Sequence, residues 1–284
     1  TMFPGSDALA QGLYTMFKFI FSPDLAGGIT DLQKTIATFN VAAYGLAGDI
    51  NSTIIKPIAA VVLAIILVLE LARISSRFDG DQKLAVQQVA TAMIKAVLVI
   101  IAIQNVDLIL GAINQVGDNA ISAVAAPGSL SSSQSYPSVQ ELKEADLPSQ
   151  LFTGGLLIIP WLLALIAGII LKVIVFVRFA EIYVLSAAAT LPLVFMAHPE
   201  TKSIAVGYLK KYAAAVLQGL MIIIMVKVFA EFKKAGLGGG GSSISGSDLL
   251  GTTLNAVPSM ALSSVVFLFL IIASGRLARA LVGE

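Results

Sequence analysis

Several ionisable side chains interrupt long apolar runs in this chain: Glu70, Lys95, Lys172, Glu181, Lys210, Lys211 and Lys227. A charge at membrane depth is costly, so each such group first suggests an ion path, a subunit interface or a water-filled lumen. Arg178 and Glu181 are three residues apart and can pair on one helical face. A proton or ion pathway needs such groups clustered near mid-span. Here nearly all lie toward the ends of the runs, where snorkelling accounts for them. Lys95 is the deepest and calls for an oligomer interface or a lumen. The residues singled out as structural or lumen-facing are Lys95, Arg178, Glu181, Pro192, Lys210 and Lys211.

The same inventory argues against catalysis. The sequence has no Cys and a single His, His198, which leaves no material for thiol chemistry, a histidine metal cluster or a catalytic triad. The glycine run at 238–241 is not followed by Lys-Ser/Thr, so it is not a phosphate-binding loop. His198 reads as a loop residue. The expectation is a protein that is not an enzyme and uses no cofactor or metal.

The elements that hold these residues are membrane helices. Mean hydropathy is +0.90 and charged residues make up 12% of the chain, about half the share of a soluble domain. Several windows exceed the roughly 18 apolar residues that cross a bilayer. Net charge is +1, so no global basic field announces nucleic acid. No basic n-region precedes the first apolar stretch, unlike a retained signal peptide.

In chain order, residues 1–50 are expected to hold amphipathic helices at or near the membrane surface. Leu9, Leu13, Met16, Phe17 and Ile20 make one apolar face, serving either the interface or an extramembrane cap. Ile29, Leu32, Ile36 and Phe39 make a second, on one helix running into the first span. Residues 51–110 form a transmembrane hairpin, with spans near 54–71 and 85–110. Residues 111–153 form a polar loop, containing a flexible SLSSSQSYPS and a VQELKEADLPSQ able to make a short helix. Residues 154–230 are the core: a span near 155–177 that Pro160 can kink, a short segment 182–197 weakened by Pro192, and a helix near 206–229. A Gly/Ser linker at 231–255 precedes the last span and tail, 256–284. The fold class is all-α and polytopic, with five transmembrane helices. Segment 182–197 is expected to be re-entrant or interfacial; six full spans is the rival.

Basic loops remain cytoplasmic. Arg73, Arg77 and Lys83, then Lys172 and Arg178, then Arg276 and Arg279 mark inside positions, while the acidic 111–153 loop goes outside. This predicts a multi-pass protein of the cell membrane, N-terminus outside and C-terminus cytoplasmic. Lys227, Lys233 and Lys234 argue against that orientation, since they would sit outside.

The core also resembles a known family. Val177–Arg178–Phe179 with Glu181–Ile182–Tyr183, an Ala-rich turn to Leu191–Pro192–Leu193, and Tyr208–Leu209–Lys210–Lys211–Tyr212 with Leu217–Gln218–Gly219 resemble the TrbL family. These are polytopic inner-membrane components of conjugative type IV secretion systems. The resemblance is good over about 155–230 and elsewhere lies in layout. It implies a homo-oligomeric structural subunit at the base of a DNA or protein translocation path. Its implied partners are a secretion ATPase, a bitopic membrane protein, membrane lipid and translocating DNA. A secondary transporter, with paired broken helices, and a pore-forming protein are the alternatives.

Overall fold

The structure, a computed structural model, describes residues 6–22, 27–77, 82–125, 136–234, 244 and 248–283. The four residues joining the hairpin, most of the SLSSSQSYPS stretch, and the glycine run with about half of the Gly/Ser linker lie outside them. Helices account for the described chain, with no strand among the described residues. Five helical stretches are long and apolar enough to cross a membrane: 41–76, 86–104, 147–188, 202–232 and 249–282. The chain is an all-α polytopic membrane protein. It divides into two compact units, residues 1–33, 121–176 and 219–275 in one and 34–120, 177–218 and 276–284 in the other.

In the first unit, α1 (Ser6–Phe21) buries Ala10, Leu13, Phe17, Ile20 and Phe21 at helical spacing. That face packs on α8 (Val139–Glu144), and Tyr136 stacks on Phe21 with ring centroids 5.8 Å apart. The chain itself thus covers Leu13, Phe17 and Ile20 of the apolar face read from the sequence. Ser138 and Glu141 close a reciprocal capping box at the start of α8. At its other end the Gln150 amide donates to the carbonyls of Leu142 (2.8 Å) and Ala145 (2.9 Å), groups a helix end would otherwise leave bare. Short α2 (Gly28–Leu32) needs a glycine at its start, because a Cβ on Gly28 would stand 2.7 Å from Leu171 Cγ. The remaining core comes from inward stripes: Leu157, Ala164, Ala167 and Leu171 on α9 (Leu147–Ala188), and Ala256, Met260, Phe267 and Ile271 on α12 (Leu249–Val282).

The structure departs from the sequence reading in four places. Residues 30–50 are not one helix. The chain breaks after α2 and again at Asn40, giving α3 (Ile36–Phe39) and α4 (Val41–Ile50). The Thr35 and Asn40 side chains each cap the helix that follows by accepting a backbone N–H. A wide π turn, Asn51–Ile55, follows, in which the Lys56 N–H donates to the Asn51 carbonyl five residues back. It precedes Pro57, the second residue of α5 (Lys56–Arg77), whose ring and missing N–H disfavour a regular turn there. The first crossing helix therefore begins near Val41 rather than Ile54.

Next, the second span stops early. α6 (Gln82–Gln104) ends where the Asn105 side chain donates to the Ile101 carbonyl (2.8 Å), and α7 (Val106–Val124) starts anew. Residues 111–124, read as polar loop, are thus helical, burying Val106, Leu110, Asn114 and Ile121 along one stripe.

Third, segment 182–197 is not a separate piece. Its first residues finish α9, which passes straight through the RFAEIY hinge. Five-residue α10 (Thr190–Val194) and a 3-10 turn, Phe195–Ala197, complete it and lie against α5 and α6. Pro192 falls in the first turn of α10, where its missing N–H costs nothing. No sixth crossing helix forms here.

Finally, α11 (Lys202–Lys234) and α12 run beyond the expected spans at both ends, so the linker is shorter than 231–255 and the tail after 273 is helical.

Gly117 on α7 sets how closely that helix approaches α11, because a Cβ there would collide with Val216 Cγ1. Overpacking of this kind costs about 1–3 kcal/mol. Gly117→Ala is expected to lower the thermal midpoint of the detergent-solubilised protein by several degrees. Adding Val216→Ala should restore much of the loss, and an unchanged midpoint in Gly117→Ala would refute the close contact.

Candidate functional site

The second unit is organised around a buried charge. Arg178 is among the largest fully buried side chains in the protein, at 1% exposure. Its Nε donates to the Ala215 carbonyl and one terminal nitrogen to the Val216 carbonyl, both at 3.1 Å. Helical carbonyls keep a second lone pair after their own N–H bond, so α11 can accept this fork without unwinding. The guanidinium carbon lies 4.9 Å from the Phe179 ring centre, and Phe179 stacks on Phe39 at 3.9 Å, with Lys34 5.9 Å from that second ring. The pairing expected from spacing, Arg178 with Glu181, does not form. Arg178 turns to α11, and Glu181 lies half-buried.

Asp118 is the neighbouring carboxylate. It accepts from the Ile36 N–H at 3.4 Å. Burial pushes its carboxyl above the usual range, opposed in part by the Ile36 N–H and the Arg178 charge.

A chain of hydroxyls continues the polar core. Tyr183 donates to the Ile36 carbonyl (2.8 Å) and accepts from the Asn40 N–H (3.2 Å), pinning α3 and the start of α4 to α9. Tyr212 bonds Asn114 (2.8 Å) and faces Ser186 (3.2 Å); Tyr208 donates to the Leu185 carbonyl (2.8 Å). Thr190 donates to Asn51 at 2.6 Å, joining α10 to the π turn. The hydroxyls are paired, while the second terminal nitrogen of Arg178, Nη1, is buried without a hydrogen-bond partner; Arg178, Tyr183, Tyr208 and Tyr212 fasten helices together rather than face a substrate.

A second polar cluster joins the turn after α10 to α5. His198 Nδ1 accepts from the Glu200 N–H (3.2 Å), and its Nε2 lies 3.0 Å from a Glu70 oxygen and 3.4 Å from an Arg73 nitrogen. Arg73 meets Glu200 at 2.9 Å and Glu70 at 3.9 Å. His198, read from sequence as a plain loop residue, is therefore a tie. Its only sequence signal was the lone imidazole beside Pro199–Glu200.

The other singled-out residues are not brought together. The Lys210 ammonium donates to the Gly283 carbonyl (3.3 Å), beyond the C-terminus of α12, and Lys211 is exposed. Lys95 is exposed too, in the middle of an apolar helix. A lysine at the centre of a spanning helix costs about 2.5–3.5 kcal/mol if it faces lipid. Among the described residues, no group of His, Cys, Asp or Glu is placed to hold a metal ion.

This geometry describes a helical membrane assembly part, and comparison with protein families decides which. A family described as TrbL/VirB6 plasmid conjugal transfer like protein matches residues 26–190, more than half of the chain. The chain belongs to the TrbL/VirB6 family. No curated protein and no solved structure matches it. As a TrbL/VirB6 protein it is a multi-pass membrane component of conjugal transfer, in a family known for a structural role rather than for enzymes. The matched stretch reaches further toward the N-terminus than the resemblance read over 155–230 and stops before Tyr208. It holds Lys95, Arg178 and Glu181, while Pro192, Lys210 and Lys211 fall beyond it.

Two measurements test the polar core. Truncating Arg178 removes two buried hydrogen bonds made by a charged donor, each worth about 1.5–3 kcal/mol. Arg178→Ala should accordingly abolish recovery of folded protein, and Arg178→Lys, which lacks the fork, should fall in between. Wild-type yield from Arg178→Ala would refute the fastening role. For Asp118 the folded state holds the proton more tightly than the unfolded one. Its contribution to stability is therefore present below the ordinary carboxyl value of 3.8 and is lost as pH rises through the folded value. The stability difference between wild type and Asp118→Asn should move against the wild type as pH rises from that value. A pH-independent difference would contradict it.

Proposed function

We propose that this TrbL/VirB6 protein is a homo-oligomeric channel subunit of a type IV secretion machine, at the base of the path taken by DNA or protein. The observation that carries the reading is how little of the α5–α6 hairpin its own chain covers. Only 17% of the most apolar window in 41–76 and 22% of that in 86–104 is buried, against 50% in α11. Ile58, Val61, Ile65 and Val68 leave a continuous apolar face on α5, suited to neighbouring copies and lipid. The proposed orientation is N-terminus outside and C-terminus cytoplasmic, in the cell membrane. A secretion ATPase and a bitopic membrane protein are the proposed partners, translocating DNA the proposed cargo, and catalysis is not part of the role.

The first test is transfer of a marked conjugative element from a donor with an in-frame deletion of this gene. Transfer should collapse and return on complementation, with growth and membrane potential normal; unimpaired transfer would sink the proposal. Subunit contact is tested separately. The chain has no Cys, so Val61→Cys, Ile65→Cys and Val68→Cys introduce single thiols. Oxidation in native membranes should give intermolecular disulfides, and monomers alone would argue against oligomerisation through this face.

A further inference from the structure

Lys95 lies well inside the apolar helix α6, and it is exposed. At least nine helical residues separate it from either end of α6. At 1.5 Å per residue that is about 13 Å or more each way. A lysine stem reaches about 6 Å, so the ammonium cannot snorkel to a headgroup on either side. Helical side chains lean toward the N-terminus, which carries this one toward the level of Thr91 and Gln88. Viewed down the axis, both lie within about 40° of Lys95, and both are exposed. The Thr91 hydroxyl is satisfied by the Gln87 carbonyl (2.9 Å), so the polar demand comes from Lys95 and Gln88. Met93 and Val97, about 160° away on the helix, are exposed and apolar, as a lipid-facing side should be.

We infer that the Gln88–Thr91–Lys95 face of α6 lines a water-filled space at membrane depth, giving each chain one ammonium at mid-depth, while the Met93–Val97 face meets lipid. The inference rests on the channel reading only for what closes the space, namely other copies of the chain. Hydration is what an uncovered lysine at this position requires. The buried side of α6, Ala96, Val99 and Ile103, lies between the two faces and is taken by the protein itself.

The test uses full-length chain in native membranes. Single cysteines replace Gln88, Thr91, Lys95, Met93 and Val97 in turn, and a charged, membrane-impermeant methanethiosulfonate is applied from each side. Cys at 88, 91 and 95 should react at least ten-fold faster than Cys at 93 and 97. Because a variant could fail to fold, the unaltered protein is treated in parallel with a water-soluble amine reagent and digested. Mass spectrometry should find Lys95 modified. An unreactive position 95 in both experiments, or equal reaction on both faces, overturns the inference. An unreactive position 95 alongside intermolecular disulfides through α5 removes the water-filled space and keeps the oligomer. Reactivity at 95 without such disulfides keeps the space and removes the oligomeric reading.

Discussion

One guanidinium fixes the second unit. Arg178 presents two donors in a rigid plane, and only two adjacent carbonyls on α11, those of Ala215 and Val216, receive them. The fork sets the register of α9 against α11, since a slip of one turn would strand a buried charge. What surrounds it follows from that demand. Phe179 and Phe39 close over the guanidinium, Gly117 lets α7 come down onto Val216, and Asp118 is held where burial and the Arg178 charge act on it in opposite directions. The tyrosines at 183, 208 and 212 then supply hydroxyls to backbone and side-chain groups that would otherwise be bare in a dry interior.

The apolar windows were legible because lipid and core make the same demand, roughly twenty residues without charge. The residues behind the family resemblance were legible too: Arg178, Phe179, Tyr183, Tyr208 and Tyr212 are the polar core itself. Their partners were not. Arg178 and Glu181 looked like a pair on one helical face, since i, i+3 spacing cannot say that a neighbouring helix offers carbonyls. With the charge satisfied there, α9 has no reason to stop and runs on to Ala188. Residues 111–124 looked like loop because Asn114, Gly117 and Asp118 lower the local hydropathy. Those three are the residues that a close, polar contact with α9 and α11 needs. His198 was opaque for the same reason: its partner Glu70 lies far away in sequence.

α11 and the α5–α6 hairpin differ in how far the chain covers them. Half of the α11 window is taken up by its own chain, and far less of either hairpin helix is. Within a TrbL/VirB6 protein this separates a part that holds the chain together from a part left for its surroundings. In the middle of the second part, away from the charges near the ends of its helices, stands an exposed one, Lys95.

The π turn at Asn51–Ile55 has an angular consequence. On a regular helix Ala59 would sit about 80° around the axis from Asn51, yet both are buried. The wide turn takes up one additional residue, worth about 100°, and brings the two to within about 20° of a common meridian. The turn acts as a phase correction: it lets Asn51 meet Thr190 while Ala59 and Leu63 keep facing inward. The spacing between residues there is thus constrained as much as their identity, and removing one residue would rotate everything that follows.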